Sequence, residues 1–394
     1  MRNYIYMDNA ATTKMNKVAF EAMIPYLAKY YGNPSSVYML GDISSKVLNE
    51  ARETFADCLN CSPEEIYFTS GGSEADNWAL ESAVRNYGRG GIGRNINGRN
   101  LGHIVTSSME HHAILNKCKE LENRGFMVTY VNPGRDGIVR TEDIHRAIRT
   151  NTILISVMTA NNEVGTLQNI SDIGKIAKRH GILFHTDAVQ AFGHIPIDVK
   201  KWNVDMLSIS GHKFGGPKGI GVLFVSKDTK LTPMIYGGKQ ENGMRAGTEN
   251  VAAIKGMSVA AGEACKTMRK RGIETVRVRD YMIDNILRYV PGARLNGHRD
   301  LRLPNNINIS IDGVNGESMV IMADNYGVCI STGSACSSKS TKPSHVLISM
   351  GVPEKECFES VRLTISEETT YEDAEYVINL IRKLVKEIKT HTLA

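Results

Sequence analysis

Between Glu65 and Val225 the chain repeats one pattern, and that repeat restricts the possible folds more than any other feature of the sequence. Short runs rich in β-branched and aromatic residues alternate with amphipathic stretches of helical period. The runs expected as strands are Ile66–Thr69, Ile104–Ser107, Met127–Val131, Thr152–Met158, Ile182–His185, Met206–Ile209 and Gly221–Val225. Helices are expected at Ser73–Tyr87, Ala113–Arg124, Thr141–Arg149 and Ser171–His180. A strand that rejoins its sheet through a helix must cross over it. The order therefore predicts an α/β fold, with a mainly parallel central sheet flanked by helices on both faces. In such sheets ligands collect beyond the carboxyl ends of the strands, so polar residues matter most there.

The run Met206–Ile209 stops abruptly in Ser210-Gly211-His212-Lys213, and a Gly- and Pro-rich turn follows. One lysine is thereby held at a strand end among hydroxyl, imidazole and free backbone N–H groups. A lysine that forms a Schiff base with a phosphorylated aldehyde cofactor needs this setting. Other strand ends add to it. The strand ending at Thr69 leads through Ser70-Gly71-Gly72-Ser73 into a helix, an anion cradle of free amides and a hydroxyl. Ser107 is followed by Glu110-His111-His112, Met158 by Asn161-Asn162-Glu163, and His185 by Asp187 and Gln190. Taken together, the cradle (Gly72, Ser73), a flat ring (His111), a carboxylate (Asp187), amides (Asn162, Gln190) and Lys213 are the parts needed to hold a pyridine aldehyde phosphate. A carboxylate within ~4–6 Å of the ring nitrogen shifts its pKa by about one to three units, enough to keep it protonated.

The rest of the chain reads as a smaller α+β domain. A helix is expected from Thr248 to about Lys270 and a second from Val276 to Tyr289. Strands follow at Ile307–Ile311, Val328–Ser331 and Ser360–Ile365, with a helix at Ser318–Tyr326. A C-terminal helix opens at Thr370, and Ala374, Val377, Ile381, Leu384 and Ile388 recur on one face. The expected division is residues 15–260 as the large cofactor-binding domain, with 1–14 and 261–394 as the small one.

Composition mainly excludes. The net charge of +5 comes from interspersed acids and bases, so neither nucleic acid nor a membrane is an expected partner. No apolar run approaches ~20 residues, and the first residues lack the apolar core of a signal peptide, so a cytoplasmic location is expected. Seven scattered cysteines form no disulfide framework. Cys58 and Cys61 make a C-x-x-C without the second pair a zinc site needs, so neither redox nor metal chemistry is expected of it. The glycine-rich stretch between Tyr87 and His103 follows a helix rather than a strand and reads as a basic surface loop. Cys336 lies in a run of small and hydroxyl residues, the setting of an exposed, nucleophilic thiol. A base such as His111 would have to ionise it at neutral pH. No resident metal is expected; Cys336 is at most a transient iron–sulfur ligand.

Across nearly its whole length the sequence resembles the cysteine desulfurases, class V aminotransferase-type enzymes that use pyridoxal 5'-phosphate and share fold type I. The resemblance rests on Asp8-Asn9-Ala10-Ala11-Thr12-Thr13, Gly32-Asn33-Pro34-Ser35-Ser36, Thr69 to Glu74, Glu110-His111, Asn161-Asn162-Glu163 and Asp187 to Gln190. Ser210 to Lys213, Arg245-Ala246-Gly247-Thr248 and Ser331 to Cys336 complete it. It implies that Lys213 carries the cofactor, that His111 stacks on the ring and moves protons, and that Asp187 and Gln190 bind the ring nitrogen and oxygen. Gly72, Ser73, Ser210 and His212 would hold the phosphate, and Thr248 would reach that of a partner subunit, which implies a homodimer. Asn162 and Arg362 would bind the substrate, L-cysteine. Lys213 would remove the α-proton, and Cys336 would attack the substrate sulfur, leaving L-alanine and a persulfide. The polar segment from Ser337 to Pro343 resembles that of the long-loop group, which passes sulfur to cluster scaffolds or thiolation enzymes. The short end after the last helix differs from relatives that dock a scaffold through a longer tail. The same fold also serves selenocysteine lyases and transaminases, and a non-catalytic scaffold could keep it.

Overall fold

In the computed structural model, which describes residues 4–87, 102–333 and 342–392, the chain opens with β1 (Ile5–Tyr6), α1 (Lys17–Ala28) and α2 (Met39–Leu59). Alternation then begins with β2 (Ile66–Thr69), α3 (Gly72–Tyr87), β3 (His103–Ser107), α4 (His112–Asn123), β4 (Met127–Val131) and α5 (Thr141–Ala147). It continues through β5 (Thr152–Ser156), α6 (Ile170–His180), β6 (Leu183–Asp187), α7 (Val199–Trp202), β7 (Met206–Ser210) and β8 (Gly221–Val225). After α8 (Val251–Tyr289) come β9 (Ala293–Leu295), β10 (Asn306–Ile311), α9 (Gly316–Asn325) and β11 (Val328–Cys329). The described chain closes with α10 (His345–Ser349), α11 (Glu354–Cys357), β12 (Ser360–Thr364) and α12 (Tyr371–Thr392).

The expected sheet is present, with seven strands in the order β2-β8-β7-β6-β5-β3-β4. All neighbours from β7 to β4 pair in parallel, whereas β8 is antiparallel to both β7 and β2. The reversal follows from the connection. Only a short glycine-rich turn joins β7 to β8, and a parallel partner would need a full crossover. Every residue of β3, β7 and β8 is buried, as helices on both faces require.

A second core surrounds the antiparallel sheet β12-β10-β9 and the parallel pair β1-β11, and gathers Met7, Ile283, Ile309, Leu363 and Leu384. The apolar stripe of α12 faces this core, as its spacing predicts. One expectation fails. The two helices expected after Thr248 are one 39-residue helix, α8. Its interior holds no proline, and at Gly272 nothing lies within 4 Å of where a Cβ would stand, so that glycine costs only about 1 kcal/mol of helix propensity. Packing holds the helix straight through. Its first half, to Ala264, lies in the large core, and its second, from Val278, in the small one.

Candidate active site

Lys213 ends a short helical turn, Gly211–Lys213, directly after β7. Its Nζ donates to the carbonyls of Ala10 at 2.6 Å and Ala11 at 2.8 Å, and Gln190 Nε2 donates to the same Ala10 oxygen at 3.0 Å. The N-terminal segment can come this close because it is built of small and hydroxyl residues. Thr13 is bound to the 212–215 turn three times, through its N–H to the His212 carbonyl, its hydroxyl to the same oxygen, and the Gly215 N–H to its Oγ1. Thr12 Oγ1 lies 3.2 Å from His212 Nδ1. Burial, with the charges of Lys213 and Lys218, pushes His212 down to about 4, so its ring is neutral and offers one N–H.

The anion cradle forms where three strand ends meet. A Cβ on Gly72 would stand 2.7 Å from Val189 Cγ2 and 3.4 Å from Ser210 Cβ. The N-terminus of α3 thus lies against the segments that follow β6 and β7. Glu74 in its first turn fastens the neighbouring loop, because Arg245 donates to its two carboxylate oxygens at 2.9 and 3.1 Å. That loop carries Thr248, which is solvent-exposed, as is Ser73.

Asp187 closes β6 and is buried, and its Oδ1 accepts from the Val189 N–H at 2.8 Å. Burial raises its carboxyl to about 6, although the Val189 N–H and the Lys213 charge act the other way. Two residues earlier, on the same face of the strand, His185 lies between the hydroxyls of Ser156 (2.9 Å) and Ser208 (3.0 Å), with Asp76 Oδ1 at 3.7 Å. Burial pushes His185 down to about 3, and burial together with the charge of Asp187 lifts Asp76 well above the usual carboxylate range. The Asp76 contact therefore joins a neutral acid to a neutral imidazole, and the negative charge of this pocket concentrates on Asp187. Sequence reasoning missed Asp76, which lies inside a helix, and passed over His185, although its i, i+2 relation to Asp187 is visible in the sequence.

His111 caps α4, and its Nδ1 accepts the Ala113 N–H at 3.2 Å. Burial, with the Lys213 charge, pushes the ring down to about 4. It is thus neutral, and because Nδ1 accepts the capping N–H its hydrogen stands on Nε2, where it can donate a hydrogen bond. The preceding Glu110 is fully buried. Burial raises it to about 8, while Ser107 Oγ (2.5 Å) and the Met158 N–H (2.9 Å) bind its Oε1 and join the ends of β3 and β5. Cys336 lies outside the described residues, but described residues on either side of it, Gly333 and Ser344, meet Glu163. Ser344 Oγ donates to Glu163 Oε2 at 2.5 Å, and a Cβ on Gly333 would stand 3.1 Å from the same oxygen. His345 Nε2 lies 3.0 Å from the carbonyl of Glu110.

Arg362, on β12, is only 1% exposed. Its Nη2 donates to Asp8 Oδ1 at 2.6 Å and its Nη1 to the carbonyl of Asn162 at 3.2 Å, while its buried Nε has no protein partner. The two residues expected to bind substrate are thus together, through the backbone of Asn162.

These shifts oppose one another across the pH scale. His111, His185 and His212 are held below their ordinary 6.5. The unfolded chain then binds more protons, and their contribution to stability is lost as pH falls from 6.5 toward 4. Glu110, raised from 4.5 to about 8, contributes fully below its unfolded value, and that contribution is lost as pH rises through about 8. The urea midpoint of the cofactor-free protein should peak between about pH 5 and 7, and Glu110→Gln should flatten the alkaline fall by a few kcal/mol at ~1.4 kcal/mol per unit.

A lysine at one parallel strand end beside a buried carboxylate at the next is the layout of fold type I pyridoxal-phosphate enzymes. The family model for aminotransferase class-V matches residues 5–377. The cysteine desulfurase IscS of Methanosarcina thermophila is 46% identical over 386 residues, covering 98% of this chain and 93% of its own. A cysteine desulfurase of Nostoc sp. strain PCC 7120 is 40% identical over 385 residues, covering 98% and 94%. Among solved structures, a NifS-like protein superposes with a TM-score of 0.89 at 32% identity, covering 98% of this chain and 100% of that one. SspA in complex with cysteine gives 0.78 at 35% identity, covering 93% and 99%. The chain belongs to the aminotransferase class-V family and, within it, to the cysteine desulfurases, which are pyridoxal-phosphate enzymes.

Proposed function

We propose that the chain takes sulfur from L-cysteine onto Cys336 as a persulfide, releases L-alanine, and passes the sulfur to an acceptor protein. The observation that carries this is the set of groups around Lys213. Its charge acts on His111, Asp187 and His212, and its amine is held by two backbone carbonyls. The residues present fit pyridoxal phosphate. The cradle has no room for a Cβ at Gly72, and the buried Asp187, raised by desolvation, is suited to a cationic partner such as a protonated ring nitrogen.

In this reading Gly72, Ser73, Ser210 and His212 would hold the phosphate, His111 would stack on the ring, Asp187 would pair with its nitrogen and Gln190 would bind its oxygen. Pyridoxal phosphate, when bound, supplies an electron sink for charge that develops at the substrate α-carbon. Arg362 and Asn162 orient the substrate carboxylate, and the free Nε of Arg362 suits a bidentate grip. Lys213, whose amine stands against the carbonyls of Ala10 and Ala11, would take the α-proton, and His111 would donate from Nε2. The Cys336 thiolate attacks the substrate sulfur, so an S–S bond forms as the carbon–sulfur bond breaks.

A homodimer with shared sites is part of the proposal, with Thr248 of the partner subunit reaching the phosphate. Large apolar side chains stand exposed around the start of α2, among them Val37 at 98% and Met39 at 72%, as a subunit contact requires. The domain division belongs here too, with 15–260 binding the cofactor and 1–14 with 261–394 carrying the Cys336 loop. The core contacts favour a crossing within α8, between Ala264 and Val278. No helix among the described residues is long and apolar enough to cross a membrane, and we take the cytoplasm as its location. A cluster scaffold or a thiolation enzyme is the acceptor we favour.

The test is a Cys336→Ala holoenzyme given L-cysteine. Alanine production should fall to background while the cofactor colour persists. Undiminished alanine and sulfide release would sink the persulfide step.

A further inference from the structure

The C-x-x-C at the end of α2 takes no part in these steps, and its first cysteine meets a third cysteine far along the chain. Helices α2 and α8 lie side by side in parallel. Glu50 pairs with Lys255 at 3.2 Å, a Cβ on Gly262 would stand 3.6 Å from Thr54 Cγ2, and Cys58 Sγ approaches the Ala261 carbonyl at 3.8 Å. In an α-helix that carbonyl accepts the N–H of residue 265. The Cys58 sulfur therefore lies at the foot of Cys265, and the two thiols are near enough to shift each other's ionisation in opposite directions. Both are half-buried, so a small oxidant can reach them. Cys61, the other half of the motif, is pushed up to about 12 by burial and by Glu65, which keeps it protonated and unreactive. Cys265 shifts downward, because the neighbouring Cys58 thiol and the Arg271 charge outweigh burial.

We propose that Cys58 and Cys265 form a peroxide-sensitive dithiol, a second redox site distinct from the sulfur-transfer cysteine. The Cys265 thiolate attacks a peroxide oxygen. An S–O bond forms, the O–O bond breaks, hydroxide leaves, and the sulfur is oxidised to a sulfenic acid. The Cys58 thiol then attacks that sulfur, losing its proton as the sulfenic oxygen departs as water, and a disulfide remains. A dithiol reductant reverses it by exchange. Bonded sulfurs stand about 2.05 Å apart, and Cys58, already against the turn of α8 that carries Cys265, has a short way to close. The bond would fasten α2 to α8 ahead of Arg271, whose guanidinium binds the Gly193 carbonyl at 3.0 Å and pairs with Glu367 at 3.3 Å. It thus acts on the helix shared by the two cores.

The test treats the full-chain holoenzyme with hydrogen peroxide, alkylates the remaining thiols and maps the peptides by mass. The expected product joins the Cys58 peptide to the Cys265 peptide, two hydrogens lighter than their sum. Both thiols are lost to alkylation and return with dithiothreitol. Cys61→Ser should keep the cross-link, and Cys58→Ser or Cys265→Ser should remove it. A Cys58–Cys61 bond in its place, or complete alkylation of both residues after peroxide has oxidised Cys336, overturns the proposal. The native chain alone decides between these results, so it does not depend on how the variants fold.

Discussion

Lys213→Ala should purify colourless and should make alanine from L-cysteine at least ~10²–10⁴-fold more slowly than the parent, the range that a positioned acid–base group contributes. The loss should be larger still, because in the proposed function the same side chain attaches the cofactor. Its position makes both roles available. The β7 backbone ends at Ser210, one turn carries the lysine past the sheet edge, and the carbonyls of Ala10 and Ala11 bind its amine. Removing the amine leaves those carbonyls and the Gln190 amide in place, so the fold should survive and the unfolding midpoint should move little. Visible absorbance and alanine release measure the effect. A yellow Lys213→Ala protein that still makes alanine contradicts the assignment.

Arg362→Ala should fail in two separable ways. Asp8 loses its 2.6 Å partner, and breaking such a pair should cost about 3 kcal/mol of stability, at the lower end for buried pairs because Asp8 is partly exposed. The KM for L-cysteine should also rise by roughly 10–100-fold through loss of a charge-assisted, bidentate contact. Arg362→Lys separates the two. An ammonium restores a point charge near Asp8 but lacks the planar fork. Stability should largely return while KM stays high. Urea midpoints and steady-state kinetics on both variants suffice, and an unchanged KM in the alanine variant removes Arg362 from the substrate site.

Much of the molecule is legible from its sequence because the relevant forces are local or periodic. The strand–helix alternation specifies a mainly parallel sheet, and polar residues after each strand mark the site, since all those strand ends share one edge. The repeat of Ala374, Val377, Ile381 and Leu384 places one face of α12 on a core. Where reading by sequence fails, a distant contact decides. Gly272 resembles a helix break, yet the two cores hold α8 continuous through it. Glu163 sits in a recognisable motif, but nothing local says that its carboxylate meets both Gly333 and Ser344, on either side of Cys336 in the sequence.

By itself the sequence determined the chemistry this protein can perform. It supplies a strand-end lysine, an acid at the end of the neighbouring strand, a glycine and serine opening a helix and a cysteine among small polar residues, because residue type and spacing along each strand are enough to present them. The tertiary structure decided the state in which those groups work. Burial neutralises His111, His185 and Glu110 and raises Asp187, and the packing of α2 on α8 sets Cys58 against the Ala261 carbonyl. Desolvation and contact between remote segments exist only after folding, so no local pattern encodes them.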